Sequence, residues 1–318
     1  MALIFYTCTL NPAVDLFMEV DALKPDVVNR TNMEDYQPNG KTINVSIILE
    51  RMGIHNTALG FLGGFTGEFI EQELVKTGVE TDFIKINGIT RINNFIRAGE
   101  KEFKVVNKGP VISPAEAEEL LGKISSIPKG SFLFVSGSLP SGINDDIYVA
   151  IAEISKHRKL KLVLDISSNR LLDCLSFSPY LIKPNDEELA SFFNRPSVSK
   201  EEAAGLAQEM IEKGAERVLV SFGSKGSLFI TKEEIYSVTA PAGDVMNTAC
   251  AGDALLASFI GRLKQGAGLP EALKYASAAG AATAFSMGLG SLDEAERLKK
   301  HIEVHRLDHP FYKEARSI

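Results

Sequence analysis

The chain has no tryptophan, only three cysteines and five histidines among its 318 residues, and each scarcity excludes something. Cys8, Cys174 and Cys250 are far apart and form no C-x-x-C pair, so neither a disulfide framework nor a cysteine-rich metal site is expected, and a reducing, cytoplasmic setting fits. No window approaches the roughly 18 apolar residues that a membrane-spanning helix needs, and the Ala-rich stretch Ala276 to Met287, about 12 residues, reads as a buried helix. The opening MALIFYTCTLNP reaches Asn11, Pro12 and Asp15 too soon for a signal peptide's apolar core. A basic run is also missing: 41 acidic against 34 basic residues leave a formal charge of -7, which disfavours a nucleic-acid or anionic-membrane partner. Any phosphate that binds must therefore be held locally.

Several motifs are absent as well. Asn39-Gly40-Lys41-Thr42 lacks the Gly five positions before Gly40, where Asp35 stands, so it is not a Walker A loop. Thr9-Leu10-Asn11-Pro12 follows the first strand where a dinucleotide enzyme carries Gly-x-Gly-x-x-Gly, and Gly60, Gly63 and Gly64 are spaced for turns. There is no G-x-S-x-G elbow to motivate a nucleophilic serine. His301, His305 and His309 would stack on one face of a C-terminal helix, but nothing flanking them supports a metal, and a solvated helix is expected; His55 and His157 stand alone.

What the chain does have is alternation. With 45% hydrophobic and 24% charged residues, 26 Gly and 13 Pro, it has the profile of an ordinary folded protein. Leu3 to Leu10, Phe132 to Val135, Leu160 to Asp165, Tyr180 to Lys183 and Arg217 to Phe222 read as core strands. Ser113 to Ser126, Asp145 to His157, Asp186 to Phe193 and Lys200 to Lys213 read as the intervening helices. This order predicts an α/β fold with a mostly parallel sheet between helical layers. Asp15 to Asp35 and Phe83 to Asn107 break the pattern with polar/apolar alternation, as expected of a small secondary sheet lying as a lid over one edge. One domain over residues 1–305, with lid segments near 13–36 and 83–108 and a loosely docked tail at 306–318, is the organisation expected.

The most informative segment is Asn247 to Asp253, NTACAGD, directly followed by the helix-period run ALLASFIGRLKQG. Small residues at a helix start let the free amides of Ala251, Gly252 and Asp253 converge where the helix dipole is positive, a site suited to an anion. From the residues alone, Asp253 either caps this helix or accepts a proton from an attacking hydroxyl.

Together with TLNPAVD (Thr9 to Asp15), PNGKTINVS (Pro38 to Ser46), TRINN (Thr90 to Asn94), SGSLPSG (Ser136 to Gly142), KPNDEEL (Lys183 to Leu189) and SFGSKG (Ser221 to Gly226), this motif resembles the PfkB carbohydrate kinase family. The resemblance spans about residues 3 to 295, and within the family the 1-phosphofructokinase and tagatose-6-phosphate kinase branch is the most similar. It implies a ribokinase-like three-layer α/β/α fold, ATP and Mg²⁺ as cofactors, a sugar phosphate as substrate and a homodimer paired through the lid strands. TRIN at Thr90 to Asn93 looks more like the 1-phosphofructokinase pattern, so fructose 1-phosphate is the favoured substrate, with tagatose 6-phosphate and fructose 6-phosphate as alternatives. A non-catalytic sensor of sugar phosphate or nucleotide, and a ribose or nucleoside kinase of the same fold, are the rival readings.

By the same resemblance Asp253 is the general base, with Cys250, Ala251 and Gly252 completing the catalytic turn and its anion hole. Asp15, Gly40, Lys41, Asn44 and Asn93 would line the sugar site, and Arg91, with Ser138 and Arg30, would meet the phosphate already on the substrate; Lys104 reads as a solvated lid residue. Lys183, Asn185, Ser221, Gly223 and Gly226 would serve the nucleotide, and Asn185 with Glu188 would organise Mg²⁺. Three residues depart from the family pattern: Cys250 stands where Gly is usual, Asn39 replaces the first Gly of G-G-K-G, and Thr42 the last. Asn39 is expected to keep the turn by tolerating the left-handed region, and Cys250 to cost ~1 to 2 kcal/mol if its φ is positive. A helix N-terminus beside a phosphate site also predicts a lowered thiol pKa and a reactive Cys250.

Overall fold

The computed structural model describes residues 4–307. In chain order the first half contains β1 (Phe5–Thr9), β2 (Ala13–Val20), β3 (Met33–Asn39), α1 (Lys41–Arg51), β4 (Asn56–Leu62), α2 (Gly64–Lys76), β5 (Glu80–Thr81), β6 (Ile84–Lys85), β7 (Arg91–Ala98), β8 (Lys101–Val105), α3 (Pro114–Ser126), β9 (Phe132–Ser136) and α4 (Asp146–Arg158). The second half contains β10 (Lys161–Asp165), α5 (Arg170–Cys174), β11 (Leu181–Ile182), α6 (Asp186–Phe192), α7 (Lys200–Glu212), β12 (Val218–Ser221), β13 (Ser227–Ile230), β14 (Ile235–Val238), α8 (Ala251–Lys264), α9 (Leu269–Ala284), α10 (Leu292–Leu298) and β15 (Val304–Leu307).

The main sheet runs β15-β14-β13-β12-β11-β10-β9-β1-β4-β5, with β6 also on β4. From β4 through β12 the pairing is parallel, and β12 to β15 close it as an antiparallel meander. The parallel strands are apolar on both faces because both are covered. On one side Leu120 and Ile124 of α3, Ile147 and Ile151 of α4 and Ala203 and Met210 of α7 pack on Leu133, Leu162 and Val220. On the other, Val45 and Ile48 of α1, Leu256 and Phe259 of α8 and Ala276 and Ala279 of α9 pack on Phe134, Val163 and Leu219. The ribokinase-like three-layer α/β/α architecture expected from the sequence is therefore present. Local chemistry sets the helix starts: Ser113 with Glu116, and Ser199 with Glu202, form capping boxes that satisfy the free amides of α3 and α7.

A second sheet, β3-β2-β7-β8, forms the lid. Its centre is the parallel pair β2/β7, which places Asp15 beside Asn93, and only its outer pairs are antiparallel. The segment before Arg91 does not join it: Ile84 and Lys85 pair with β4, Phe83 is buried with Ile70 and Leu74 of α2, and Ile84 and Ile86 are buried with Leu120 and Ile124 of α3, so the apolar residues of that stretch meet helices instead of solvent. Gly60, read as a turn residue, lies within β4 and pairs with Thr9. The expected C-terminal histidine helix is absent: α10 ends at Leu298, His301 closes a short 3₁₀ turn, and His305 is in β15, paired with Ser237. Arg306 and Leu307, placed in the tail from sequence, belong to that same edge strand, while His309 lies outside the described residues. Among the described residues no helix is long and apolar enough to cross a membrane.

Candidate active site

The carboxyl ends of the parallel strands, the end where ligands bind in open α/β sheets, meet the lid at β1 and β9, beyond which Asn11 and Ser138 contact Arg91. At their centre is Asp165, the last residue of β10 and 1% exposed. Its two oxygens meet Lys41 Nζ at 3.1 Å and Lys183 Nζ at 3.3 Å. Burial pushes its carboxyl up, but the two ammonium groups outweigh that and hold it below the ordinary range. The sequence reading treated Asp165 only as a strand end; a lone Asp closing the apolar run LVLD at the carboxyl edge of a parallel strand was the available signal.

Asp253 sits in the first turn of α8, 5% exposed, and accepts a hydrogen bond from Asn44 Nδ2 at 2.8 Å. Burial first, then the nearby Asp165 charge, raise its pKa to about 7, against the opposing pull of Asn44, Lys41 and Lys183. A carboxylate poised near neutrality is what proton abstraction at physiological pH requires. The Ala251 amide leans on the Thr248 carbonyl at 3.4 Å, so the free donors of the turn are the amides of Gly252 and Asp253, which have no carbonyl one turn back to bond. Lys183 closes over them: a Cβ on Gly252 would lie 3.2 Å from its Nζ, so glycine keeps amide and ammonium on one side of the same small space.

Lys41, at the start of α1, adds a second ammonium, with Glu188 Oε1 3.9 Å away. Burial opposes its charge, but Asp165, Glu188 and Asp253 together hold its pKa above the usual value. Asn185 and Glu188 form the capping box of α6: Asn185 Oδ1 accepts from the Glu188 amide at 2.7 Å, and Glu188 Oε2 from the Asn185 amide at 3.0 Å. That leaves Glu188 Oε1 facing Lys41. Among the described residues no three metal-ligating side chains cluster, so a cation here would keep waters and phosphate oxygens as most of its ligands, as Mg²⁺ does. Ser221 ends β12 beside Asn185, and its amide donates to the Pro184 carbonyl at 3.1 Å. Gly223 and Gly226 flank the next turn; at φ 88°, with the Val238 carbonyl 2.0 Å from any Cβ, Gly226 is required by the β12–β13 hairpin itself.

On the lid side Asp15 is 2% exposed, with Asn93 Nδ2 donating to Oδ1 at 2.8 Å and Asn39 Nδ2 to Oδ2. Burial raises its pKa despite those amides and Arg91. The Arg91 guanidinium is held by the carbonyls of Asn11 (2.9 Å), Asn107 (3.1 Å) and Pro12 (3.4 Å) and lies 3.5 Å from Ser138 Oγ, with no carboxylate salt bridge among the described residues. Burial lowers its pKa, and only Asp15 opposes that. Asn11 belongs here too: its Nδ2 donates to Lys108 and Leu139 carbonyls, while its buried Oδ1 has no partner among the described residues. Arg30 does not reach this cluster; it is exposed in the loop between β2 and β3. Lys104 is exposed on β8 beside Glu102, as expected.

Two readings of the departures change. Asn39 is not left-handed; Gly40 takes the unusual backbone, and Asn39 instead bonds through its side chain. Cys250 does have positive φ, 63°, but its thiol pKa is raised, not lowered, because burial and the carboxylates of Asp253 and Asp15 outweigh the helix N-terminus.

A buried carboxylate with a pKa near neutrality, two lysines paired on Asp165, free amides at a helix start and a second buried carboxylate beneath a lid suit phosphoryl transfer to a hydroxyl. The profile of the pfkB family carbohydrate kinases matches residues 8–296, and the chain belongs to that family. It is 55% identical to D-tagatose-1-phosphate kinase of Bacillus licheniformis over 303 residues, covering 95% of this chain and 99% of that protein. It is 37% identical to 1-phosphofructokinase of Bacillus subtilis over 302 residues, with 95% and 99% covered. The solved structure of phosphofructokinase-2 from Escherichia coli in complex with fructose-6-phosphate has a TM-score of 0.86 and 26% identity, covering 94% of this chain and 99% of that one. The protein is thus a sugar-phosphate kinase.

Proposed function

We propose that the chain transfers the γ-phosphoryl group of ATP to the 6-hydroxyl of a ketohexose 1-phosphate, giving the 1,6-bisphosphate. The observation that carries the reaction type is Asp253, a carboxylate with a pKa of about 7 in the same helix turn as the free amides of Gly252 and itself. The acceptor oxygen attacks the γ-phosphorus in line, its proton passes to Asp253, and the bond from phosphorus to the β,γ-bridging oxygen breaks with its electrons leaving on ADP. Lys41, Lys183 and the two amides hold the charge that spreads over the transferring group. A divalent cation would supply further neutralisation of the phosphates; Glu188 Oε1 and Asn185 would hold it, largely through waters. Arg91, which meets no carboxylate at contact distance among the described residues, suits the phosphate already on the substrate.

Relatives named for tagatose 1-phosphate and fructose 1-phosphate both support C1 as the phosphate position. Fructose 1-phosphate, favoured from TRIN, keeps that position, and the 55% relative moves the preferred sugar to its C4 epimer, D-tagatose 1-phosphate. ADP release with Mg·ATP, compared across tagatose 1-phosphate, fructose 1-phosphate, tagatose 6-phosphate and fructose 6-phosphate, tests this. The highest kcat/KM is expected with a 1-phosphate. A clear preference for a 6-phosphate refutes the substrate, and ATP binding without turnover of any refutes the enzyme in favour of a sensor. Exposed Met33, Tyr36, Phe103 and Val105 on the lid strands support a homodimer paired through that sheet, which light scattering would read directly.

A further inference from the structure

Asn39 occupies the last position of β3, in register with Ala13, and its side chain lies between two functional carboxylates. Its Nδ2 donates to Asp15 Oδ2, while its Oδ1 accepts from the Gly40 amide at 2.5 Å and from Asn44 Nδ2 at 3.1 Å. Asn44 Nδ2 in turn donates to Asp253 Oδ2 at 2.8 Å and lies 3.1 Å from Cys250 Sγ. A continuous chain of hydrogen bonds, Asp15–Asn39–Asn44–Asp253, thus joins the sugar-facing carboxylate to the base. The direction of the Asn39 amide is not free: its NH₂ must face a carboxylate and its oxygen must face the Gly40 N–H.

Two consequences follow from counting donors. Each Asp15 oxygen already accepts one amide hydrogen, from Asn93 on Oδ1 and Asn39 on Oδ2, so the plane of the carboxylate is pinned and the remaining lone pairs point in fixed directions. The two hydrogens of Asn44 Nδ2 are shared among three acceptors, and without Asn39 Oδ1 one remains for Asp253 and one for Cys250, so the bond to Asp253 is kept. A fixed acceptor plane discriminates the configuration of a hydroxyl, whereas a carboxylate that rotates meets either configuration equally well.

We propose that Asn39 is a specificity-determining positioning residue: its amide locks the Asp15 carboxylate so that one configuration of the C4 hydroxyl is preferred. This rests on the reading that Asp15 receives hydroxyls of a ketohexose phosphate. The backbone at Asn39 is not left-handed, so alanine fits there without strain.

The test is the ratio of kcat/KM for D-tagatose 1-phosphate and D-fructose 1-phosphate in the wild type and in Asn39→Ala. The ratio should fall toward unity by about tenfold, the scale of one well-placed hydrogen bond to a charged group. The change should be carried mainly by a lower relative KM for the disfavoured epimer. A residue that only supports the fold would lower both epimers alike, so an unchanged ratio overturns the proposal. Should Asn39→Ala fail to fold by circular dichroism, Asn39→Ser, which is too short to bridge to both partners, is measured instead. If the wild type turns over 6-phosphates only, the substrate reading fails by itself, and the same ratio on tagatose 6-phosphate and fructose 6-phosphate decides Asn39. If it turns over neither pair, calorimetric binding of the two 1-phosphates to both proteins decides: a selective change between epimers supports the role, and no binding or an equal loss overturns it.

Discussion

Replacing Asp253 by Asn should remove activity while making the protein more stable at alkaline pH. The carboxylate is shielded from solvent and its pKa stands at about 7 against an ordinary 3.8, which is about 4 kcal/mol of differential interaction. The sign follows from proton counting. Below pH 3.8 both folded and unfolded chains hold this proton; between 3.8 and about 7 the folded chain keeps it and the unfolded chain has released it, so stability falls as pH rises, and above about 7 the full penalty is present. Asparagine keeps the bond from Asn44 and carries no such penalty. From pH 5 to pH 8 the variant should therefore gain about 3 kcal/mol relative to wild type, read as the difference in urea midpoints at the two pH values. In a coupled assay kcat should drop ~10²- to 10⁴-fold with the KM for ATP little changed, and wild-type kcat/KM should rise with pH through about 7. A stability gap that stays flat from pH 5 to pH 8, or a variant that keeps a tenth of kcat, would refute the assignment of Asp253 as a buried base.

Asp165→Asn should destabilise the protein by ~3–5 kcal/mol in urea unfolding, because Lys41 and Lys183 lose the carboxylate between them. In that variant the acid limb of the pH–rate profile should move to lower pH, since the Asp165 charge contributes to raising the Asp253 pKa. Arg91→Met should raise the KM for the sugar phosphate by ~10- to 100-fold and leave the KM for ATP unchanged, and Arg91→Lys should recover only part, because a point charge cannot also hold the Asn11, Pro12 and Asn107 carbonyls. Iodoacetamide at pH 7.5 should leave the native thiols unmodified by mass spectrometry: burial holds Cys8 and Cys174 at about 12, and Cys250 is raised as well. Labelling of Cys250 in the folded protein would contradict that environment.

Some of this was legible along the chain because its causes are local. Apolar β-branched runs gave β9 and β10 within a residue or so, and helix-period segments at 113–126 and 200–213 gave α3 and α7. NTACAGD placed Asp253 in the first turn of a helix because small residues and an acidic first turn are properties of a helix start. The failures share one feature, that the deciding partner is remote in sequence. Phe83 to Ile86 alternate like lid strands, yet β4 and the main core claim them. The histidine spacing fits a helix, but β14 offers an open edge and takes Val304–Leu307 as a strand. A thiol at a helix N-terminus is expected to be acidic, and for Cys250 the sign reversed once burial and two carboxylates surrounded it.

By itself the sequence determined the class of fold and the family, and singled out Asp253 as the candidate base, because periodicity and ordered motifs are read from neighbours in the chain. Only the tertiary structure decided that Asp165 bridges lysines from α1 and the end of β11, that Asn39 links Asp15 to Asn44, and that burial raises the pKa of Asp253 to about 7. Desolvation and charge proximity depend on which segments pack together in space, and no local pattern encodes them.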